Sequence, residues 1–248
     1  MWAMFWYLTS LLMVRNDFVD VAWGLGFIYI IYWLAHQYHL GGPQALIFIA
    51  VCAWGFRLSG YLLLRTIGKP EDRRYAKWRQ EWGKTLWWRS FLQIYVLQNL
   101  FMLLIALPMV YISTFAQEIE WTWWLVPGIV LWCVGMYWET LADWQKSQHK
   151  TDPIKKKTLL STGLWARSRH PNYFGEICVW WGIWLMVAPY GYAWLTVISP
   201  ITITYLLLRV SGVPMLEKEQ KRSPERERYL REVPAVFPKL KLRYKKSL

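Results

Sequence analysis

Cysteine is nearly absent. The 248 residues hold three, Cys52, Cys133 and Cys178, isolated from one another. That count excludes a disulfide scaffold, and no Cys/His pair has the spacing of a zinc or iron–sulfur site, so no metal is expected. The GxGxxG and P-loop signatures of nucleotide-binding folds are missing, as is the nucleophile elbow of serine hydrolases. Charge is thin, 18% of residues against about 25% in soluble domains. It is absent altogether from residues 21–56, 90–117, 121–138 and 177–208. Charge-free apolar runs of roughly 18 residues or more are candidate membrane spans, and a 29.7 kDa soluble chain could not bury four of them.

What is present is aromatic and basic. Twenty Trp, 55% apolar residues and a net charge of +13 rule out a disordered chain. On a soluble domain +13 would suggest nucleic acid, but no helix-turn-helix, RNA-recognition or zinc-finger pattern occurs, and the charge has a different address. Residues 65–89, 143–172 and 209–248 hold 27 of the 29 Lys and Arg but 10 of the 16 Asp and Glu. Gly41-Gly42-Pro43 and Pro189-Tyr190-Gly191 divide the longest apolar runs. Helices are therefore expected at 18–40, 43–65, 87–113, 121–142, 172–188 and 192–210, with a short or tilted one at 1–14. The basic segments alternate with loops 40–43, 114–120 and 189–192, which contain no Lys or Arg. By the positive-inside rule the basic segments and the C-terminus are cytoplasmic, and the N-terminus is outside. The fold class is thus an all-α polytopic integral membrane protein of seven transmembrane helices, one domain over 1–248, in contact with membrane lipids. Basic loops facing the cytoplasm also attract anionic headgroups.

Smaller features fit this frame. Tyr75, Trp78 and Trp82 share one helical face among Arg74, Lys77 and Arg79, the pattern of an interfacial helix lying on the cytoplasmic leaflet. Gly24 and Gly26, with Ala22, have the spacing of helix-packing residues. His36 and His39 fall at the outer end of the second helix.

Ionisable groups inside spans are costly, so each is a functional candidate. Arg57 lies mid-segment. Glu139 and Asp143 are four apart on one helix face, Glu176 lies one turn into the next helix, and Asp17 and Asp20 precede Val21. An internal ion-pair network would account for Arg57 with Glu139 or Glu176. The intervening Lys146, Lys150, Arg167, Arg169 and His170 suggest more: cations at the mouth of a cytoplasmic pocket hold phosphates, and carboxylates deeper in accept hydrogen bonds from ribose hydroxyls or an amide. That is the outline of a nucleotide-type cofactor. Pro171 suits a first helical turn, and a helix beginning there carries Asn172, Tyr173 and Glu176 along one side. His170 has a plainer reading as a structural hydrogen-bonding group at that helix start.

The run Arg169-His170-Pro171-Asn172-Tyr173-Phe174-Gly175-Glu176 carries a resemblance that extends over nearly the whole chain. It includes Asp20-Val21-Ala22-Trp23-Gly24, Trp54-Gly55-Phe56-Arg57-Leu58, Gly68-Lys69-Pro70-Glu71-Asp72-Arg73-Arg74-Tyr75, Ala142-Asp143-Trp144-Gln145, Ser211-Gly212-Val213-Pro214 and Phe237-Pro238. The chain resembles the bacterial membrane family DUF1295, which is similar to the steroid 5-alpha-reductases, seven-helix membrane enzymes that use NADPH. In those reductases an Asp stands 29 residues before an Asn-x-x-Gly-Glu motif. Asp143, Asn172, Gly175 and Glu176 repeat that register.

The resemblance implies that Asp143, Asn172 and Glu176 contact NADPH, that Lys150 takes the place of a cofactor-binding Arg, and that Arg57 and Tyr61 match groups on the third helix. It places Glu217 in a segment closing over the cofactor. With Glu139, Arg167, Arg169, His170 and Tyr173 these complete the expected cofactor set. The reductases carry a Gln-Glu pair on the second helix that polarises the substrate carbonyl. The second helix here has none, and Asp20 is nearest by position. The expected activity is reduction of an activated C=C bond in a lipophilic substrate entering from the bilayer. Tyr61 or a protonated Asp20 would donate to the carbonyl oxygen, and the cofactor site would face the cytoplasm of a bacterial inner membrane. The His170-Pro171-x-Tyr173 element also resembles isoprenylcysteine carboxyl methyltransferases, so an S-adenosylmethionine-dependent lipid methyltransferase is the alternative. A non-catalytic lipid-binding protein is the third.

Overall fold

The computed structural model describes residues 1–38, 40–116, 119–210, 212–218 and 223–239, which are all-helical and without strand. His39, Glu118 and Ser211 lie outside the described residues. In chain order the helices are α1 (Trp2–Met13), α2 (Phe18–Gln37), α3 (Gly42–Thr66), α4 (Arg73–Trp82), α5 (Leu86–Arg89), α6 (Leu97–Ile105), α7 (Leu107–Thr114), α8 (Leu125–Thr151), α9 (Pro171–Val187), α10 (Ile198–Tyr205), α11 (Val213–Lys218) and α12 (Pro224–Glu232). Five helical stretches are long and apolar enough to cross a membrane: Phe18–Gln37, Gly42–Thr66, Arg73–Ile105, Leu125–Thr151 and Ala193–Met215. At 1.5 Å per residue, the 12 residues of α1 reach only about 18 Å of a roughly 30 Å hydrocarbon layer. The 17 residues of α9 fall just short.

The helix expected at 87–113 spans Leu86–Ile105, with a π-helical stretch at Ser90–Val96. It breaks at Ala106, and α7 follows with Pro108 in its first turn, where the missing N–H is harmless. The 71–83 segment forms a helix of its own, α4, which ends at Gly83 with φ 45°. Its aromatic face packs against protein within the first unit. Tyr75 is 3% exposed and clusters with Tyr7, Val19, Ile94 and Tyr95, with Trp78 and Trp82 packed alongside. Tyr75 is buried outright and Trp78 and Trp82 in part, which removes apolar surface from water.

The chain divides into two compact units, Met1–Thr122 with Val187–Ser199, and Trp123–Met186 with Pro200–Leu248. In the first unit the α2/α3 hairpin closes on glycine. A Cβ on Gly24 would come within 2.5 Å of the Gly55 carbonyl, and one on Gly55 within 2.8 Å of the Gly24 carbonyl, while Gly26 makes room for the Met102 side chain of α6. Ser59 Oγ donates to Val21 O at 2.8 Å. Small residues let the backbones approach, as the spacing of Gly24 and Gly26 suggested.

The connections gather at the two ends of this hairpin. At one end the 14–17 loop is tied to the chain after α3. Arg15 donates to both carboxylate oxygens of Asp17 at 2.7 Å and to Lys69 O at 3.1 Å. Asp72 N donates to Asp17 at 2.9 Å. Glu71 accepts from Asn16 N at 2.6 Å and from both forks of Arg79 at 3.0 Å. At the other end the loops without Lys or Arg meet. Gln44 donates to Ala116 O at 2.9 Å, Trp121 packs on Gly42, Tyr190 Oη donates to Glu120 O at 2.8 Å, and Tyr192 N donates to Tyr111 Oη at 2.8 Å.

In the second unit α8 and α9 run antiparallel in close contact. Gly135 faces Gly175, and Gly128 faces Gly182. A Cβ on Gly175 would sit 2.5 Å from Glu139 N and 2.6 Å from Gly135 O, both backbone atoms that cannot yield. Trp138 meets Phe174 edge-on at 5.0 Å. This contact sets the depth at which the polar residues of both helices are held.

Candidate functional site

α8 continues nine residues beyond the expected end of its span, to Thr151. Glu139, Asp143, Lys146 and Lys150 therefore lie on one helix, spaced four, three and four apart, along one stripe. Their burial is graded. Glu139 is 2% and Asp143 4% exposed, Lys146 is half-buried and Lys150 exposed. Carboxylates this deep are tenable only with partners, and Glu139, Asp143 and Glu176 each have one. α9 starts at Pro171, so Asn172, Tyr173 and Glu176 occupy its first two turns, with Glu176 8% exposed. Since Gly175 packs on Glu139 N, the carboxylate-bearing turns of the two helices adjoin.

The loop between these helices is pinned at both sides. Leu164 N donates to Gln145 Oε1 at 3.0 Å, and Trp165 Nε1 to Ala142 O at 3.2 Å. Lys146 Nζ lies 5.4 Å from the centre of the Trp165 ring, within cation–π range. From the C-terminal side Tyr229 Oη donates to Trp165 O at 2.5 Å. Arg169 N donates to Pro234 O at 2.9 Å, His170 N to Ala235 O at 3.0 Å, and Lys239 N to Arg167 O at 3.1 Å. Ser223 caps α12 by accepting from Arg226 N, a start that Ser-Pro-Glu announces.

Three residues assigned to the cofactor are used within the chain. Arg169 Nε lies 2.9 Å from Glu217 Oε1, and Arg169 Nη1 donates to Leu230 O at 2.6 Å. His170 Nε2 is 3.2 Å from the same Glu217 oxygen, and its ring stacks on Tyr173 at 5.3 Å. Burial pushes His170 below its ordinary value, Lys146 and Arg169 press the same way, and Glu217 opposes them. The neutral ring therefore donates from Nε2. Glu217 is held below the usual carboxylate range, first by that hydrogen bond and then by Arg169 and Arg226. Arg169, His170 and Glu217 thus fasten α11 and α12 to the start of α9. The plainer reading of His170 describes its contacts.

Asp20, Arg57 and Tyr61 lie in the first unit. Asp20 accepts from Tyr75 Oη at 2.6 Å and pairs with Arg74 at 2.9 Å. Both contacts engage the Asp20 carboxylate within the first unit. Arg57 and Tyr61 sit one turn apart on α3, both half-buried. Sequence reasoning missed Arg226, 8% exposed, and Ser161, 3% exposed. Their nearest signals, an amphipathic α12 and a Ser in a loop, name no partner. Among the described residues no group of three His, Cys, Asp or Glu is placed to hold a metal.

A family model described as "Protein of unknown function (DUF1295)" matches residues 5–233. No curated protein and no solved structure matches the chain.

Proposed function

The chain belongs to the DUF1295 family, and from that premise we propose that it is an integral membrane oxidoreductase, reducing an activated C=C bond of a lipophilic substrate with NADPH. The observation that carries this reading is the graded stripe of α8 beside the first turns of α9. Buried Glu139, Asp143 and Glu176 supply acceptors for hydroxyl or amide protons, and Lys146 and Lys150 supply charge toward solvent. The donor set fits a ligand with a polar, hydrogen-bonding body and an anionic outer part.

Asp143 and Glu176, with Asn172, hold and orient the cofactor, while Lys150 and Arg167 attract its phosphates. The chemistry NADPH supplies when bound is hydride donation to the β-carbon of an enone-like group. A proton at the α-carbon completes the reduction. Stabilising the enolate oxygen calls for a preorganised donor. The substrate enters from lipid. The meeting of loops 40–43, 114–120 and 189–192 at one end of the first unit supports a seven-span topology with the N-terminus outside, the C-terminus inside and the cofactor site facing the cytoplasm of a bacterial inner membrane.

Thermal shift of the detergent-purified protein tests the reading. NADPH should stabilise it, and Asp143→Ala and Glu176→Ala should abolish the shift. Stabilisation by S-adenosylmethionine and not NADPH would make the protein a methyltransferase. A response to neither would leave a lipid-binding role.

A further inference from the structure

The loop entering α9 contains a polar group that the reading above does not use. Ser161 is 3% exposed, and its hydroxyl has no hydrogen-bond partner among the described residues. Buried hydroxyls are rarely left so, because the group has given up water for nothing. Its direction follows from its neighbours. Thr158 and Thr162 have extended backbone, in which successive side chains alternate. Leu160 and Thr162 line an open cleft of about 480 Å³ behind α8, opposite the Glu139–Lys150 stripe. Leu159 packs instead on Tyr229 and Val233. The same alternation assigns Ser161 to the side of Leu159, which faces α12.

α12 carries a cation on that side. Arg226 stands one turn before Tyr229 and is 8% exposed. The carboxylate that favours its charge is Glu217, already paired with Arg169 at 2.9 Å and His170 at 3.2 Å. Glu217 pairs directly with Arg169 and acts on Arg226 only through its charge, and the imidazole beside it is neutral. Burial pushes Arg226 below its ordinary value and Arg169 adds to the effect, with Glu217 offsetting it in part. Among the described residues, two guanidiniums to one carboxylate and a buried hydroxyl with no partner are groups that an anion would satisfy.

We propose that Ser161, Arg226 and Arg169 form a subsite for a phosphoryl group, bound between the 158–170 loop and α12. Guanidinium forks match phosphate oxygens bidentately, and the Ser161 hydroxyl donates the remaining hydrogen bond. The phosphoryl group belongs to the cofactor or to an anionic lipid headgroup. Only the first source rests on the reductase reading.

The test uses the full-length protein in detergent, with inorganic pyrophosphate, NADPH and NADH as probes, and nanodiscs with and without phosphatidylglycerol. Pyrophosphate should stabilise the wild type, and Ser161→Ala and Arg226→Gln should each weaken its binding about tenfold, the effect of about one hydrogen bond to a charged group. Ser161→Ala should also raise the melting temperature of the ligand-free protein, because it removes a hydroxyl with no partner. A purely structural Ser would move that temperature down and leave anion affinity alone. Loss confined to NADPH, with NADH unchanged, places the 2′-phosphate here. Equal loss for both nucleotides places the cofactor's pyrophosphate, and loss of the phosphatidylglycerol effect alone places a lipid. If the wild type binds pyrophosphate through Arg226 but ignores both nucleotides, the reductase reading fails and the subsite stands. Unchanged affinity for every probe in Ser161→Ala and in a folded Arg226→Gln or Arg226→Lys overturns the subsite.

Discussion

Glu217 shows how one side chain can close a segment over a helix start. It joins Arg169 and His170, so Glu217→Gln removes an ion pair and leaves Arg169 and Arg226 facing each other. With the carboxylate 24% exposed, the loss should be about 1–2 kcal/mol, read as a lower melting temperature. The acid response has a definite sign. His170 is depressed from 6.5 in the folded chain. As pH falls through 6.5 the unfolded chain takes up a proton that the folded one resists, and stability drops. Glu217 is depressed from 4.5, so its contribution is present above that value and disappears below it. The melting temperature should therefore fall from pH 7.5 to 5, and His170→Gln should flatten the upper part of that profile. A profile unchanged in His170→Gln would show that His170 is not the group responsible. Tyr229→Phe strips the donor from the Trp165 carbonyl and should cost about 1–2 kcal/mol. Asp143 and Glu176 were legible as residues out of place in a membrane. The partners of Arg169, His170 and Asp20 were not, because each lies tens of residues away in sequence.

Among the helices, the α8/α9 contact governs the candidate site. Gly175→Ala places a methyl against two backbone atoms of α8, so the helices must part beside Glu139 and Glu176. NADPH stabilisation should be lost together with thermal stability. Gly60→Ala is the matched control. Nothing lies within 4 Å of a Cβ there, and helix propensity should raise stability by about 0.5–1 kcal/mol. Equal behaviour of the two variants would remove the packing argument. The helix positions were readable from charge-free runs and Pro/Gly breaks, since both are local. The Gly128/Gly182 and Gly135/Gly175 pairs were not singled out, because a glycine in an apolar run looks alike whether it meets a helix or lipid. The α4 helix was visible by its periodicity, but period alone does not say whether a Tyr75–Trp82 face meets lipid or protein.

At the scale of the whole molecule the proposed topology is open to labelling. In intact cells a cysteine at Tyr192, 72% exposed, should react with an impermeant maleimide, and one at exposed Lys156 should react only after permeabilisation. Labelling of both positions in intact cells would contradict the alternation of loops.

The sequence by itself determined that the chain carries helices long and apolar enough to cross a membrane, because transfer into lipid adds up residue by residue. It also determined which carboxylates are too expensive to be incidental. Tertiary structure alone decided which charges meet. Arg169, His170 and Glu217 close on one another, Asp20 closes on Arg74 and Tyr75, and Glu139 and Asp143 keep their stripe beside α9. Pairing is a property of distance in space, and that distance exists only once the helices have packed.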